Sequence, residues 1–287
     1  MENNNEINFF EILDELWKEK LKILLISASL GSLFFLYSLS LQDLYISETK
    51  LKVNNNDLTS QLEASNLGIF NFFQQGGSQA GYLEDHMKSR DFFKLVSEKT
   101  NLIILLLNYE DIKNLNEEQI NSLLYSQSVR EKYKDKLSGL NFLSQHSLFD
   151  SSFEIDTSMG PFAIRSFHEN PIMAKIILEV IVQETNAYFK MRDDKESKDA
   201  IDYITRELPK IQIVDIQETL SSVLSAKLRT LVLSNIKTDY VLEYIDSPYV
   251  PISPSLPSKK LYLYSGIIIG LFLSVFWILS RKYLLRD

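Results

Sequence analysis

Histidine side chains are the first candidates for chemistry, because histidine can bind a metal ion or carry a proton near neutral pH. The chain has three, His86, His146 and His168, and none of them has a second histidine three or four residues away. Cysteine is absent, so a metal site would have to be assembled from distant loops instead of from a spaced motif. We therefore expect no metal site.

Two pairs of adjacent carboxylates, Glu84–Asp85 and Asp193–Asp194, could act as acid and base on a glycosidic bond. Adjacent acids beside Lys or Arg more often form a solvated charged face. The glycine-rich stretch 66–82 matches neither the P-loop motif G-x-x-x-x-G-K-[ST] nor a G-x-G-x-x-G motif after a strand, so it is not expected to bind phosphate. We expect it to be a flexible loop. Because nucleophile-elbow, kinase and P-loop motifs are also missing, the sequence predicts no catalytic residue, no cofactor and no enzymatic activity.

Charge is distributed unevenly along the 287 residues, which carry 30 Lys+Arg against 38 Asp+Glu and a net charge of −8. The acidic balance argues against a nucleic-acid partner, which usually requires a basic patch. Two stretches of 20 residues, 23–42 and 261–280, contain no charge at all. The intervening residues 43–260 hold 31 of the acidic and 24 of the basic residues, a net charge of −7.

Each uncharged stretch is long enough to cross a bilayer, because about 20 helical residues span its hydrocarbon layer. Aromatic residues stand at the expected interfaces: Trp17, Tyr45, Tyr262, Tyr264, Trp277 and Tyr283. The first stretch is longer than a signal-peptide core and no small-residue cleavage site follows it, so a retained anchor is favoured. The lipid bilayer is thus an expected partner.

Basic residues predict the orientation of the two spans. Six of them, Lys18, Lys20, Lys22, Arg281, Lys282 and Arg286, flank the proposed cytoplasmic side, against four on the other: Lys50, Lys52, Lys259 and Lys260. We expect both termini in the cytoplasm and the main domain in a periplasm, hence a two-pass protein of the bacterial inner membrane. The predicted segments are a cytoplasmic amphipathic lead at 1–22, spans at 23–42 and 261–280, a periplasmic domain at 43–260 and a tail at 281–287.

Small residues recur on both spans at the spacing that lets helices approach closely. Gly266, Gly270 and Ser274 stand four residues apart in the second span, and Ser27 and Gly31 stand four apart in the first. We predict a helix-packing or assembly role for these five residues. The lead before the first span, with Trp17, is either a helix along the inner membrane face or the start of one continuous helix.

The periplasmic domain is expected to be α+β. Asn170 and Pro171 are typical of a helix start, and no Gly or Pro interrupts the chain from there to Glu207, so one long extended helix is predicted. A second helix is expected over 216–236, with the capping-box pair Asp215 and Glu218 and an apolar stripe: Ile216, Leu220, Val223, Leu224, Leu228, Leu231 and Val232.

Strand patterns occur at 44–53 and 238–246, next in sequence to the two spans, and at 152–157 and 162–167 around a turn. Pairing the first two of these strands would give a membrane-proximal sheet. Four prolines follow within ten residues, and this spacing favours an extended, semi-rigid connector: Pro248, Pro251, Pro254 and Pro257.

Three segments together resemble the Wzz family of polysaccharide co-polymerases. The segment EINFFEILDELWKEKLKILL (6–25) is similar to the family's acidic, Trp-containing lead, and YISETKLKV (45–53) to its first periplasmic strand. The segment YVLEYIDSPYVPISPSLPSKKLYLYSGIIIG (240–270) resembles its proline-rich run into a glycine-containing span. Residues 54–152 contain no diagnostic motif of the family.

The resemblance implies a non-enzymatic regulator of surface polysaccharide chain length, such as that of lipopolysaccharide O-antigen. It implies a ring-like homo-oligomer that acts on a glycan polymerase of the inner membrane, with an undecaprenyl-linked glycan as a further candidate partner. The carried-over positions are Pro251, Pro254, Pro257, Gly266 and Gly270. A rigid connector between the domain and close-packed spans would convey the geometry of the oligomer to the bilayer.

Three other functions remain open. One is a capsule or exopolysaccharide co-polymerase or export adaptor; only seven residues follow Ser280, so its tyrosine kinase would be a separate cytoplasmic chain. Another is a membrane-anchored periplasmic enzyme acting on glycans, for which paired carboxylates would have to meet in a cleft. A two-span sensor is disfavoured because it would need a cytoplasmic output domain, and folds rarely stand alone below about 40 residues.

Overall fold

A computed structural model describes residues 9–54, 79–157 and 161–283. The fold is α+β, as predicted, with one long apolar helix near each end of the chain and a large mixed region between them. The chain divides into two compact units: 1–45 together with 253–287 (unit 1), and 46–252 (unit 2).

The described residues form helices and one four-stranded sheet. A short 3₁₀ turn, Leu208–Lys210, follows the longest helix. In chain order the elements are α1 (Phe9–Lys18), α2 (Lys20–Leu39), β1 (Tyr45–Val53), α3 (Gln79–Met87), α4 (Arg90–Lys99), α5 (Leu102–Leu107), α6 (Tyr109–Ile112), α7 (Glu117–Leu124), α8 (Gln127–Lys132), α9 (Lys134–Ser138), α10 (Phe142–Ser151), β2 (Phe153–Asp156), β3 (Phe162–His168), α11 (Pro171–Glu207), α12 (Val214–Ile236), β4 (Leu242–Asp246) and α13 (Lys259–Tyr283).

Unit 1 contains two helices long and apolar enough to cross a membrane, at Lys20–Ser40 and Lys259–Arg281. Only 17% and 22% of their most apolar windows are buried, unlike the core helix of a water-soluble domain, which is buried on most sides. The lead before the first span is a separate helix, because α1 ends at Lys18 and Glu19 leaves helical geometry with φ −96° and ψ 12°. One continuous helix is therefore not formed.

The sheet of unit 2 has the order β2-β3-β1-β4. The strands that are neighbours of the two spans in sequence, β1 and β4, pair antiparallel with Leu51 opposite Tyr244 and Val53 opposite Leu242, which confirms the predicted pairing. The strands β2 and β3 form an antiparallel pair, with Ile155 opposite Ile164. On β1 the inward residues alternate, since Ser47, Thr49 and Leu51 are all fully buried.

The long helix α11 runs over the 37 residues Pro171–Glu207, as predicted. The Asn170 side chain accepts hydrogen bonds from the backbone N–H groups of Ile172 (2.8 Å) and Met173 (3.3 Å), which otherwise lack partners at a helix start. The residues 171–189 are mostly buried on every face, whereas the following turns are largely exposed. The first half of α11 is therefore a buried helix that belongs to the hydrophobic core of unit 2.

The second helix, α12, packs against α11 and begins at Val214. The capping-box prediction was wrong: Ile213 stands at the N-cap, and Asp215 lies inside the first turn, where its carbonyl accepts a bond from the Thr219 hydroxyl. The helix starts two residues earlier than the predicted Ile216, and three residues separate it from the 3₁₀ turn that ends at Lys210. The predicted stripe is only partly covered, since Ile216, Leu228 and Val232 are 44%, 44% and 52% exposed.

Short helices fill the space between β1 and β2 in sequence, and their aromatic residues form much of the core. Phe93 contacts Phe149 at 5.5 Å, and Phe149 contacts Phe153 at 5.2 Å between ring centroids. Residues 79–82, which the sequence assigned to a flexible loop, begin α3 instead. The rest of that predicted loop, 66–78, and the turn residues 158–160 lie outside the described residues.

Candidate functional site: the paired apolar helices and the proline connector

A close contact in unit 1 joins Gly266 of α13 to α2. A Cβ atom added to Gly266 would lie 2.8 Å from the Cβ of Phe34 and 3.0 Å from the Cα of Gly31. Carbon atoms that are not bonded pack at about 3.5–4.0 Å, so only hydrogen fits at this position. The two backbones approach as closely as the small-residue spacing allows.

One turn further along, Gly270 meets Ser27, and Gly31 meets Ile267. A Cβ atom added to Gly270 would lie 2.7 Å from the Ser27 Cα. A Cβ atom added to Gly31 would lie 2.6 Å from the Ile267 Cγ1. Contacts that move down α2 as they move up α13 make the helix pair antiparallel. The small faces of the two spans are therefore turned toward each other within one chain.

Two serines belong to the same group of predicted residues. Ser274 is 1% exposed, and its hydroxyl donates to the Leu271 carbonyl at 2.9 Å, one turn back along α13. Ser27 is 6% exposed, and its Oγ has no hydrogen-bond partner among the described residues. Four of the five predicted positions, Ser27, Gly31, Gly266 and Gly270, meet directly at the helix contact.

Polar and backbone contacts close one end of the helix pair. The Lys259 ammonium lies 3.3 Å from a carboxylate oxygen of Asp43, and the backbone N–H of Leu44 donates to the Leu256 carbonyl at 2.8 Å. The rings of Tyr37 and Tyr262 lie 6.4 Å apart. Sequence reasoning missed these pairs, although the placement of Asp43 and Lys259 next to the two uncharged stretches was the available signal.

The four connector prolines have different environments. Pro248 and Pro251 are buried, Pro254 is exposed and Pro257 is partly buried after a cis peptide bond. In unit 2 the Ser47 hydroxyl donates to the Tyr249 carbonyl at 2.7 Å. In unit 1 the backbone N–H groups of Ser255 and Leu256 both donate to the Leu44 carbonyl. The extended connector is thus bonded, at two places, to the few residues that follow the first span.

The histidines are structural in their surroundings. His86 stacks on Tyr188 at 4.3 Å, and burial together with the nearby Arg192 guanidinium lowers the pKa of His86 to about 4. Burial also lowers the pKa of His168 to about 4, and its Nδ1 accepts the backbone N–H of Asn170 at 2.9 Å. His146 Nε2 lies 3.0 Å from the Lys88 carbonyl.

Three of the four carboxylates, Glu84, Asp193 and Asp194, are held in ion pairs. Asp193 bonds the Arg192 guanidinium at 2.9 Å and accepts the Tyr240 hydroxyl at 2.8 Å. The Lys198 ammonium, 2.7 Å from Asp194, lowers the pKa of that carboxyl. Glu84 pairs with Lys88 at 3.3 Å. Within the described ranges, no three His, Asp or Glu side chains are grouped to hold a metal ion.

Comparison with known proteins found a family match for the N-terminal third of the chain. Residues 5–100 match the family model of Wzz, the chain length determinant protein, and this confirms the resemblance inferred from the first span and the first strand. No curated protein matches the chain. The solved structure of a full-length bacterial polysaccharide co-polymerase aligns with 96% of this chain and 98% of its own, at 14% identity and a TM-score of 0.39.

The matched range differs from the range that sequence reasoning identified. It continues through residue 100, although residues 54–100 contain no motif that we identified as diagnostic of the family. It does not include residues 240–270, so the family likeness of the proline connector and the second span stays a prediction.

Proposed function

We propose, from the match of residues 5–100 to the Wzz chain length determinant family, that this protein regulates the length of a surface polysaccharide without being an enzyme. The polysaccharide we propose is the O-antigen of lipopolysaccharide. The match is the observation that carries the proposal, because the fold alone would suit many activities. Two apolar helices of spanning length, each at one end of the chain, are consistent with it.

The proposed location is the bacterial inner membrane, with both termini cytoplasmic and unit 2 periplasmic. It is supported by the excess of basic residues at the N-terminal end of α2 and at the C-terminal end of α13, which are the two proposed cytoplasmic ends. The absence of cysteine makes this topology easy to map. We expect Asp150→Cys, an exposed position on α10, to react with an impermeant maleimide added outside the inner membrane of spheroplasts. Labelling only after the membrane is broken would overturn the topology.

The proposed mode of action is a homo-oligomeric scaffold that contacts a glycan polymerase in the bilayer. The packing of the spans supports a division of labour between helix faces. The small-residue face is used within one chain, whereas large apolar side chains on α13 point away from it, with Phe272 at 70%, Phe276 at 68% and Trp277 at 55% exposure. We propose that these exposed faces meet lipid, other copies and the polymerase.

The decisive experiment deletes the gene and separates the surface glycans of the mutant by gel electrophoresis. We expect the clustered distribution of O-antigen lengths to be lost while the repeat unit is still made, and the wild-type gene on a plasmid to restore it. An unchanged length distribution of every surface glycan would contradict the proposal. If the O-antigen is unchanged but a capsule or exopolysaccharide is altered, the protein is a co-polymerase for that glycan instead.

A further inference from the structure

Unit 2 contains a groove of about 690 Å³ along the buried half of α11, with α7 on one side and β4 on the other. Glu179, Gln183, Asn186 and Lys190 line it from α11. Their spacing of three and four residues places them on one face of the helix. The volume lies within the range of roughly 300–1,000 Å³ that is typical of small-molecule sites.

Two tyrosines stand in the wall of the groove. Tyr125, directly after α7, is 56% exposed, and Tyr244 of β4 is partly buried. Partial desolvation raises the pKa of both phenols, and carboxylates such as Glu179 add to the effect. Both hydroxyls are protonated at neutral pH. Each tyrosine thus offers an apolar ring face and a hydroxyl that can donate or accept.

Several polar groups of the groove are available to a ligand. No hydrogen bond to another described residue is made by the hydroxyls of Tyr125 and Tyr244 or by the Gln183 amide. Gln183 and Asn121, on opposite walls, are both exposed. An amide offers two donors and one acceptor with two lone pairs, which matches a ligand that carries many hydroxyl groups.

The charges of the groove select against ionic ligands. Glu179 and Asp239 oppose the single Lys190, and Glu179 is already paired with Lys175 at 3.4 Å. A phosphate-bearing ligand would need a net positive site, whereas Lys190 is the single cation among the lining residues and two carboxylates stand against it. An uncharged ligand is therefore favoured.

An extended peptide is disfavoured at the start of β4, because the backbone there is already bonded. The side-chain oxygen of Asn186 accepts hydrogen bonds from the N–H groups of Val241 and Leu242, each at 2.8 Å, and its side-chain NH₂ group donates to the Leu242 carbonyl at 2.9 Å. A peptide that adds a strand needs such groups unpaired. A pyranose ring needs none of them: its C–H face packs on an aromatic ring and its hydroxyls bond amides and phenols.

We propose that this groove binds a short uncharged segment of a polysaccharide, with Tyr125 and Tyr244 against sugar rings and Gln183 and Asn121 bonded to hydroxyl groups. This inference rests on the proposed function only for which polysaccharide is the ligand. The groove offers only a few hydrogen-bonding side chains, so we expect weak binding.

The test titrates the full-length protein in nanodiscs with lipid-free oligosaccharides of two to four repeats, released from the host's own surface glycan, and follows binding by saturation-transfer NMR. We expect a dissociation constant of millimolar order that weakens tenfold or more in Tyr125→Ala and Gln183→Ala. Tyr244→Phe, which keeps the packing of the sheet, should weaken binding severalfold. Tyr203→Ala is the matched control, since Tyr203 lies on α11, as Gln183 does, but outside the groove, and is 61% exposed.

The possible outcomes separate this inference from the proposed function. Absence of binding by the wild-type protein, or an equal loss in Tyr203→Ala, overturns the sugar site. If the deletion strain nevertheless loses its glycan length control, the proposed function stands without the site. If the protein binds the oligosaccharide but deletion leaves glycan lengths unchanged, the site stands and the function falls. A changed oligomer size in Tyr125→Ala with unchanged binding would identify the groove as a contact between copies and overturn the inference.

Discussion

The helix pair α2/α13 of unit 1 and the helix pair α11/α12 of unit 2 solve the same packing problem by opposite means. In the first pair Gly266 and Gly270 bring the backbones together until no Cβ fits. In the second pair only Thr230 and Ser234 of α12 are buried, and Asn235 reaches Asp194 across the hairpin at 3.3 Å. The first pair is held by close backbone contact. The second pair buries few residues of α12 and is linked by a polar side-chain contact.

The difference follows from the surroundings that each pair is built for. Lipid chains are as apolar as leucine, so hydrophobic burial does not drive two spans together, and van der Waals contact between close backbones must do so. In water, apolar burial is sufficient without close backbone contact. Exposed apolar residues on α12, including Val214 at 71% and Ile236 at 73%, show how loosely the second pair is covered.

The largest expected effect comes from filling the close contact of the first pair. In the variant Gly266→Leu/Gly270→Leu each leucine side chain would overlap α2, at a cost of about 1–3 kcal/mol per position for overpacking. The rings of Tyr37 and Tyr262 lie 6.4 Å apart, so Tyr37→Cys and Tyr262→Cys together allow a disulfide between the two helices. We expect the yield of this disulfide to fall severalfold in the double leucine variant.

The control for the glycine variant is Ile268→Leu, at a 55% exposed position of the same helix. It should leave the disulfide yield unchanged. Undiminished cross-linking in the double leucine variant would show that the close approach is not required for pairing.

A smaller effect is expected from Asn186→Ala, which tests whether α11 is held by specific polar contacts where it is buried. The substitution removes the bonds from Asn186 to the backbone N–H groups of Val241 and Leu242 and to the Leu242 carbonyl, and we expect a loss of about 2–4 kcal/mol in unfolding free energy. Urea unfolding followed by circular dichroism measures it. Asn235→Ala, in the exposed part of the α11/α12 pair, is the control, and an equal loss there would contradict the distinction.

Acid should weaken unit 2 while leaving the first helix pair intact, because every histidine of the chain lies between residues 46 and 252. His86 and His168 have pKa values near 4 in the folded chain against an ordinary 6.5, so protonation favours the unfolded chain. Stability is complete above pH 6.5 and falls as the pH drops toward 4.

For the well-buried His168, the acid effect amounts to about 1–3 kcal/mol across that window. Denaturant midpoints at pH 7.5, 6 and 5 measure it. His168→Asn, whose side-chain oxygen can still accept the Asn170 N–H, should flatten the dependence. A dependence as steep as that of the wild type in this variant would assign the effect to other groups.

The smallest effect is expected at the exposed face of the second pair. Val232 is 52% exposed on α12, and Val232→Ser should change the unfolding free energy by no more than about 0.5 kcal/mol. Thermal unfolding of the full chain is a sufficient measurement. A loss above about 1 kcal/mol, as for a buried position, would show that this face is covered in the assembled protein.

Much of the fold could be predicted because its signals are local. The bounds of α11 follow from Asn170, Pro171 and the absence of Gly or Pro up to Glu207, all of which act within a turn or along one uninterrupted segment. The start of α12 was predicted wrongly: Asp215 and Glu218 have the spacing of a cap, but the helix begins at Val214, one residue before Asp215, with Ile213 at the N-cap.

The candidate site was predictable in its members but not in their partners. A four-residue repeat of small side chains is visible in each span, yet nothing in it says that Gly266 meets Gly31 or that Gly270 meets Ser27. The same limit applies to Asp43 with Lys259 and to Ser47 with Tyr249. Each pair combines residues from opposite ends of the chain, and spacing rules extend over a few turns only.

By itself the sequence determined the two spans, the long helix, the strands and the family likeness of the first span, because hydrophobic length, capping and alternation are properties of contiguous residues. Only the tertiary structure decided which faces meet: the glycine contact within one chain, the Asn186 bonds to β4 and the groove between Tyr125 and Tyr244. Such contacts depend on how distant segments pack together, and packing chooses among many surfaces that look alike along the chain.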